Sequence, residues 1–79
     1  MAEHLSNWEF LKEFYQEIHF PRMSLKIIDD NCLDFKNLIE LDLVHNNISV
    51  LENIPEKCKV LKIDFNQIDR IQVKKPLAL

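Results

Sequence analysis

An eleven-residue pattern occurs twice in this chain, at an offset of twenty residues. The two segments are LDLVHNNISVL, from Leu41 to Leu51, and LKIDFNQIDRI, from Leu61 to Ile71. Both carry an asparagine at the same place, Asn46 and Asn66, after two aliphatic residues in alternation. Helical periodicity does not produce this match. A fixed period near twenty residues predicts a repeat architecture in which each unit buries its apolar face on the next.

Written as LxxLxLxxNxIxxL, the pattern resembles the leucine-rich repeat, and its period is similar to that of the short intracellular subtypes. From about residue 14 to residue 71, the chain is similar to the first repeats of the leucine-rich repeat-containing protein 43 subfamily, through SLKIID, LIELDLVHNNI and KVLKIDFNQI. The resemblance implies an α/β fold, a short leucine-rich-repeat solenoid of about three parallel strands. It also implies a scaffold role in cilia or flagella.

The chain before the repeats predicts an amphipathic helix that caps the N-terminal side of the solenoid. Ser6 and Glu9 have the spacing of a capping box, and aromatic and aliphatic residues then recur at helical intervals. Pro21 disfavours helical geometry at Phe20, so the helix is expected to end near His19. The predicted organisation is a tail (1–5), the capping helix (6–20), the repeats (23–71, divided into a degenerate copy 23–37 and copies 38–57 and 58–71) and a C-terminal tail or truncated next repeat (72–79).

In the degenerate copy, Leu25 to Ile27 is the expected strand, and Asp30 falls at the position of the repeat asparagine. This alignment places Lys26, Asp42 and Lys62 in one outward row across three strands, which we interpret as an element of strand register. The side chains of Asn46 and Asn66 are expected to form a ladder, because an amide can both donate to and accept from buried backbone groups.

Residues that point away from the core on the predicted strands, or directly follow them, form the candidate partner-binding surface. Exposed aliphatic and aromatic side chains beside charged ones are what a concave protein-binding face requires. The candidate residues are Glu40, Asp42, Val44, His45, Val60, Lys62, Asp64 and Phe65. The alternative is that the N-terminal helix, or another part of the protein, covers this face.

Catalysis, cofactors and metals are not expected. The chain has no glycine, which excludes a glycine-rich phosphate loop, and its histidines lie at no metal-ligand or nucleophile spacing. His45 could pair with Asp29 or Asp64 as acid and base, but a small flat sheet offers little pocket volume. Cys32 and Cys58 lie outside zinc-site spacing and are predicted to be buried free thiols.

Composition narrows the partner classes. The net charge is −3, and Lys74-Lys75 is the only adjacent basic pair, which argues against nucleic-acid binding. No apolar run approaches membrane-spanning length, and the N-terminus lacks a signal-peptide core, so a cytoplasmic protein is expected. Apolar residues at 47% and charged residues at 29% are typical of a folded domain.

Together these features predict a non-catalytic protein-protein interaction module that uses its concave strand face. The alternative is a truncated isoform or fragment of a larger leucine-rich-repeat scaffold without independent binding. Solenoids generally need at least three repeats and a cap at each end, and nothing after Ile71 is suited to close the array. The open strand edge at residues 60–65 is then expected to invite pairing or aggregation, and the partner would be another protein or the remainder of a longer repeat array.

Overall fold

The computed structural model of the protein describes residues 12–73, 77 and 79. Within them lie five three-residue strands: β1 (Glu17–His19), β2 (Glu40–Asp42), β3 (Val50–Glu52), β4 (Val60–Lys62) and β5 (Arg70–Gln72). A 3-10 helix spans Asp30–Asp34, and residues 12–14 are helical. The strands form two parallel sheets, one in the order β1-β2-β4 and one pairing β3 with β5. The described chain is therefore a small mixed structure of short parallel strands with little helix.

The twenty-residue offset of the sequence is also the register of both sheets. Leu41 lies opposite Leu61 in the first sheet, and Leu51 lies opposite Ile71 in the second. The prediction of parallel strands is confirmed, whereas the second sheet was not predicted. Because both sheets share one offset, the two copies of the sequence pattern lie side by side along their whole length.

The core is centred on the first of the two copies. Its buried apolar residues are Ile28, Leu38, Leu41, Leu43, Ile48, Leu51, Ile54 and Cys58. The matching residues of the second copy, Leu61, Ile63 and Ile68, are only half-buried, and Ile71 is 68% exposed. Apolar burial therefore decreases from β2 and β3 towards β4 and β5.

The predicted capping helix over residues 6–20 does not extend to its expected end: residues 12–14 are helical, whereas residues 15–20 are not. Residues 6–11 lie outside the described residues, and Glu17–His19 form strand β1 instead of the last helical turn. Ile18 lies opposite Leu41 and packs on the core, while its two neighbours face outward. Backbone N–H groups of Ile39 and Glu40 donate to the Gln16 carbonyl at 2.7 and 3.0 Å. Pairing with β2 thus overrides the helical periodicity of this segment. Pro21 favours extended geometry at Phe20, the residue directly after β1.

The predicted first strand at Leu25 to Ile27 is also wrong. Ile27 is exposed, and the Leu25 carbonyl accepts from Asn47 N at 2.8 Å, as the Ile48 carbonyl accepts from Gln67 N at 3.0 Å. Leu25 therefore occupies the position of Ile48 and not that of Leu41. We call each strand of the first sheet, together with the segment that follows it, a coil, so that the first coil starts at β1, the second at β2 and the third at β4. The first coil precedes the second by twenty-three residues, because Ile18 lies opposite Leu41.

This register changes two further predictions. The outward row across the sheet is His19, Asp42 and Lys62, so Lys26 is not part of it. Asp30 begins the 3-10 helix and does not occupy an asparagine position. The Asp29 side chain caps this helix by accepting a hydrogen bond from Asn31 N at 2.8 Å. Such local bonds between a side chain and the backbone form a short polar turn that competes with strand formation.

Asn46 and Asn66 link neighbouring coils through their side-chain amides. Asn46 is 5% exposed; its Oδ1 accepts from the N–H groups of Met23 and Leu25, both at 3.0 Å. Its Nδ2 lies 2.9 Å from the carbonyls of Phe20 and Leu43. Half-buried Asn66 repeats the arrangement one coil later: Oδ1 accepts from Ile48 N at 3.0 Å, and Nδ2 donates to the Leu43 and Ile63 carbonyls at 2.8 and 2.9 Å. Each side-chain amide therefore makes hydrogen bonds to backbone groups of two neighbouring coils.

Candidate functional site

The outward side of the three-stranded sheet is the candidate site, which we call the strand face. Strand alternation directs Ile18, Leu41 and Leu61 towards the core and their neighbours to the opposite side. The residues of the strand face are Glu17, His19, Glu40, Asp42, Val60 and Lys62. Register places them as two rows: Glu17, Glu40 and Val60 in one, and His19, Asp42 and Lys62 in the other.

An aromatic pair borders the strand face where β2 and β4 end. The rings of His45 and Phe65 stack with centroids 4.2 Å apart and an angle of 4° between their planes. Both residues have left-handed backbone, with φ of 57° and 61°, and Arg22 has φ of 57° at the equivalent place in the first coil. The equivalence follows from the backbone bonds, because Arg22 N donates to the Val44 carbonyl as His45 N donates to the Asp64 carbonyl.

The chain has no glycine, yet the residues that the structure describes include five at positive φ, namely Arg22, Ser24, His45, Asn53 and Phe65. Left-handed geometry costs a residue with a Cβ about 1–2 kcal/mol. Phe65 bears this cost although it is 72% exposed, so burial of its ring does not compensate for it. The stacking contact with His45 is the packing that the ring gains.

His19 is the centre of a charged cluster on the strand face. Its Nδ1 lies 3.2 Å from Asp42 Oδ2, and its Nε2 lies 3.3 Å from Glu17 Oε1 and 3.5 Å from Glu40 Oε2. Lys62 Nζ lies 3.6 Å from the same Glu40 oxygen. Two rows of the sheet thus converge on one imidazole ring.

The cluster shifts the protonation of both partners of the His19–Asp42 contact. Hydrogen bonds to Asp42 and then to Glu17 raise the pKa of His19 above its ordinary value of 6.5. The pKa of Asp42 is lowered, first by the Val44 N–H, which donates to Oδ1 at 3.1 Å, and then by the bond to His19. An ionised Asp42 can only accept, so Nδ1 carries the proton that joins the two side chains.

The structure brings the sequence-predicted residues together in two groups. Glu40, Asp42 and Lys62 belong to the charged cluster, with Val60 opposite Glu40 in the sheet. The aromatic group contains His45 and Phe65, and Val44 and Asp64 supply the backbone around it.

Sequence reasoning missed Glu17 and His19, because they were assigned to the helix. The signal that could have found them is the alternation of Glu17, Ile18 and His19 immediately before an extended Phe20-Pro21 step. Such alternation places the carboxylate and the imidazole on one side of a strand.

The two cysteines are free thiols; Cys58 is buried, as predicted, whereas Cys32 is only half-buried. Burial raises the pKa of the Cys32 thiol to about 11. Because the thiolate is the reactive form of cysteine, this thiol is a poor nucleophile and a poor metal ligand near neutral pH.

No protein-family model, curated protein or solved structure matches the chain. None of the helical segments in the described part has the length and apolar content needed to cross a bilayer.

Proposed function

We propose that the protein is a non-catalytic interaction module of the leucine-rich-repeat type that binds another protein through the strand face and its aromatic border. The observation that carries this proposal is Phe65, an exposed aromatic residue fixed on left-handed backbone and stacked on His45. Non-glycine residues in this geometry persist only where the surrounding structure determines them, and they are concentrated at functional positions. A rigid exposed aromatic pair is a suitable anchor for a partner.

The composition of the surface supports the same function. Val44 adds apolar area next to His45 in sequence, Val60 adds apolar area on the strand face, and the His19 cluster supplies a charged border. Protein interfaces combine such apolar centres with a polar rim, in which aromatic anchors supply much of the binding free energy. The stacked His45 ring serves packing in this proposal, so it is assigned no role as an acid or base.

The assignment to the leucine-rich-repeat class rests on three supports. The LxLxxN pattern recurs at twenty residues, the same offset sets the register of both sheets, and Asn46 and Asn66 make equivalent bonds to neighbouring coils. Repeat proteins of this kind present extended binding surfaces built from equivalent positions of successive coils. The rigid parallel strands of such a repeat would hold the proposed surface in shape without a partner.

The test compares partners that co-purify with three forms of the protein, measured by quantitative mass spectrometry. The first is the natural chain, the second combines Val44→Asp with Phe65→Asp, and the third carries Ile27→Asp. Ile27 is 66% exposed and is not one of the paired residues of the three-stranded sheet, so it serves as a control. We expect the double variant to lose partners that the control retains. Equal retention by all three forms, with unchanged circular dichroism, would refute the proposal.

A second candidate function is favoured by the incomplete core at the β4 and β5 side. Leu51 is buried whereas its counterpart Ile71 is exposed, so the apolar side chain of the last described strand lies uncovered in the described residues. We infer that a further coil of a larger leucine-rich-repeat scaffold, or a partner that replaces it, packs on this side. The chain would then contribute to a scaffold and lack independent binding.

Two measurements distinguish the candidates. The mass of the endogenous protein, detected with antibodies against residues 1–20, reports whether further coils are present. In the isolated chain, Ile71→Ala is expected to change the free energy of unfolding by less than about 1 kcal/mol, against about 2–5 kcal/mol for Leu51→Ala. Cooperative unfolding of a monomer with a defined midpoint would count against the scaffold candidate.

The cellular placement remains a proposal as well. We propose a cytoplasmic protein that binds neither nucleic acid nor membrane, on the basis of its charge and hydropathy pattern. The scaffold role in cilia or flagella rests on the sequence resemblance alone. Imaging of the tagged full-length protein in ciliated cells tests both placements, and exclusion from the cilium would remove the second.

A further inference from the structure

We propose that Glu17, His19 and Glu40 form a binding site for a divalent transition-metal ion of the zinc class on the strand face. Each residue offers one ligand atom, and the three atoms lie within 4.8 Å of one another. The site goes beyond the proposed interaction function and uses none of the residues of the aromatic border.

Two of the three separations between the ligand atoms fit a zinc coordination shell, and the third, between the two carboxylate oxygens, is at most 4.8 Å. His19 Nε2 lies 3.3 Å from Glu17 Oε1 and 3.5 Å from Glu40 Oε2. Zinc binds imidazole nitrogen and carboxylate oxygen at about 2.0–2.2 Å, which places neighbouring atoms of a tetrahedral shell about 3.4 Å apart. For one metal ion to bind all three atoms, the two carboxylate oxygens would have to approach each other by at most about 1.4 Å. The fourth position would take water or a donor from a partner.

A second feature of the cluster is the contact that orients the imidazole. His19 Nδ1 faces Asp42 Oδ2 at 3.2 Å, and Asp42 is itself held by the Val44 N–H. Because the ionised carboxylate only accepts, the proton stays on Nδ1 and Nε2 is left to bind a metal. Histidine ligands usually have such a carboxylate or carbonyl partner, which fixes the tautomer and raises ligand basicity.

Nε2 of His19 faces two carboxylate oxygens at once. One N–H cannot point along both directions to Glu17 and Glu40, yet both oxygens lie within 3.5 Å of the nitrogen. A divalent ion in place of this proton contacts both carboxylates at once and neutralises their mutual repulsion. When His19 is protonated, binding releases the Nε2 proton to solvent.

Lys62 gives the proposal a distinctive prediction. Its Nζ lies 3.6 Å from Glu40 Oε2, the same oxygen that is proposed to bind the metal, so the ammonium group competes with the ion. Removing this charge should therefore tighten metal binding. If the cluster is only a set of ion pairs without affinity for metals, removing the Lys62 charge should produce no metal binding.

The experiment is isothermal titration of the full chain with zinc chloride, supported by the visible absorption of the cobalt(II) form. We expect one zinc ion per chain, loss of this binding in His19→Gln, and affinity about 10–100-fold weaker in Asp42→Asn, which removes only the orienting carboxylate. Lys62→Met should bind more tightly than the natural chain. Asp64→Asn and His45→Gln are matched controls on neighbouring surface and should bind as the natural chain does.

Three results would overturn the proposal: no zinc binding at micromolar to millimolar concentration, equal binding by the natural chain and His19→Gln, or calcium binding as tight as zinc binding. The last result would assign the effect to general negative charge, because calcium prefers oxygen ligands. Circular dichroism and thermal unfolding accompany each variant. If His19→Gln does not fold, Glu17→Gln, whose side chain is largely exposed, takes its place with the same expected loss.

Discussion

Replacing Asn46 with alanine tests whether the side-chain amides hold neighbouring coils together. The Asn46 Oδ1 is the acceptor for the N–H groups of Met23 and Leu25, and its two Nδ2 hydrogens serve carbonyls on both coils. In the alanine variant both N–H groups lose their acceptor in a site where the side chain was 5% exposed. A buried polar group without a partner costs ~1–3 kcal/mol, so we expect a loss of about 2–5 kcal/mol in the free energy of unfolding.

Asn66→Ala is the matched comparison. Among the described residues, the Asn66 Oδ1 accepts from one N–H, that of Ile48, and Asn66 is half-buried, so solvent can reach part of the site. We expect a loss of about 1–2 kcal/mol for this variant. The difference between the two asparagines arises from burial and from the second N–H, since their chemistry is the same.

The assay is urea denaturation followed by far-ultraviolet circular dichroism, with both variants measured against the natural chain. A small domain has about 5 kcal/mol of stability or somewhat more, so Asn46→Ala should lower the midpoint severely while Asn66→Ala leaves a resolved transition. Equal losses for the two variants, or a loss below about 1 kcal/mol for Asn46→Ala, would refute the link between these bonds and stability.

Three further predictions concern backbone geometry, protonation and thiol reactivity. Ser24 has φ of 55°, so Ser24→Gly should be neutral or stabilise by up to about 1 kcal/mol in urea denaturation, whereas Ser49→Gly, at a position without positive φ, should destabilise by about 0.5–1 kcal/mol. With a chelator present, nuclear magnetic resonance should give His19 a pKa above 6.5, and this pKa should fall in Asp42→Asn. The stability that the His19–Asp42 contact contributes is present below the pKa of His19 in the unfolded chain and is lost as pH rises through the higher pKa of the folded chain. A His19 pKa that is the same in the natural chain and in Asp42→Asn would contradict this reasoning. Cys32, with a pKa of about 11, should react with iodoacetamide at pH 8 far more slowly in the folded chain than in urea, and equal rates would contradict its burial.

The part of the fold that the sequence predicts is the part where two copies can be aligned. Matching Leu41 with Leu61 and Asn46 with Asn66 leads directly to parallel strands in the observed register. The position of the second sheet follows less directly. Leu51 and Ile71 match at the same offset, but a single matched aliphatic pair does not reveal that its neighbours are also paired.

The first coil could not be placed by the same reasoning, because it departs from the period. Its strand precedes β2 by twenty-three residues, and the equivalent of Asn46 is Met23, which has no side-chain amide. The segment from Leu25 to Ile27 matches the LxL pattern of the repeat better than Glu17–His19 does, and it lies closer in sequence to Leu41. Local similarity therefore favoured the wrong strand, and only the pairing of Ile18 with Leu41 resolves it.

The part of the candidate site that lies on β2 and β4 could be predicted from the sequence. Glu40, Asp42 and Lys62 follow from strand alternation once Leu41 and Leu61 are aligned. The imidazole at the centre of the cluster comes from β1, where short-range periodicity indicated a helix. Contacts made between coils decide that segment, and a single sequence carries little information about them.

The shared register of the two sheets also determines where the chain can change in length. Between β2 and β4, an inserted or deleted residue would shift Leu41 against Leu61, or Leu51 against Ile71, and would move the asparagine bonds as well. Between β1 and β2 the spacing is already longer, and the 3-10 helix at Asp30–Asp34 contains no buried residue. Insertions and deletions in relatives of this protein should therefore be concentrated before β2, while the segment between β2 and β4 keeps a constant length.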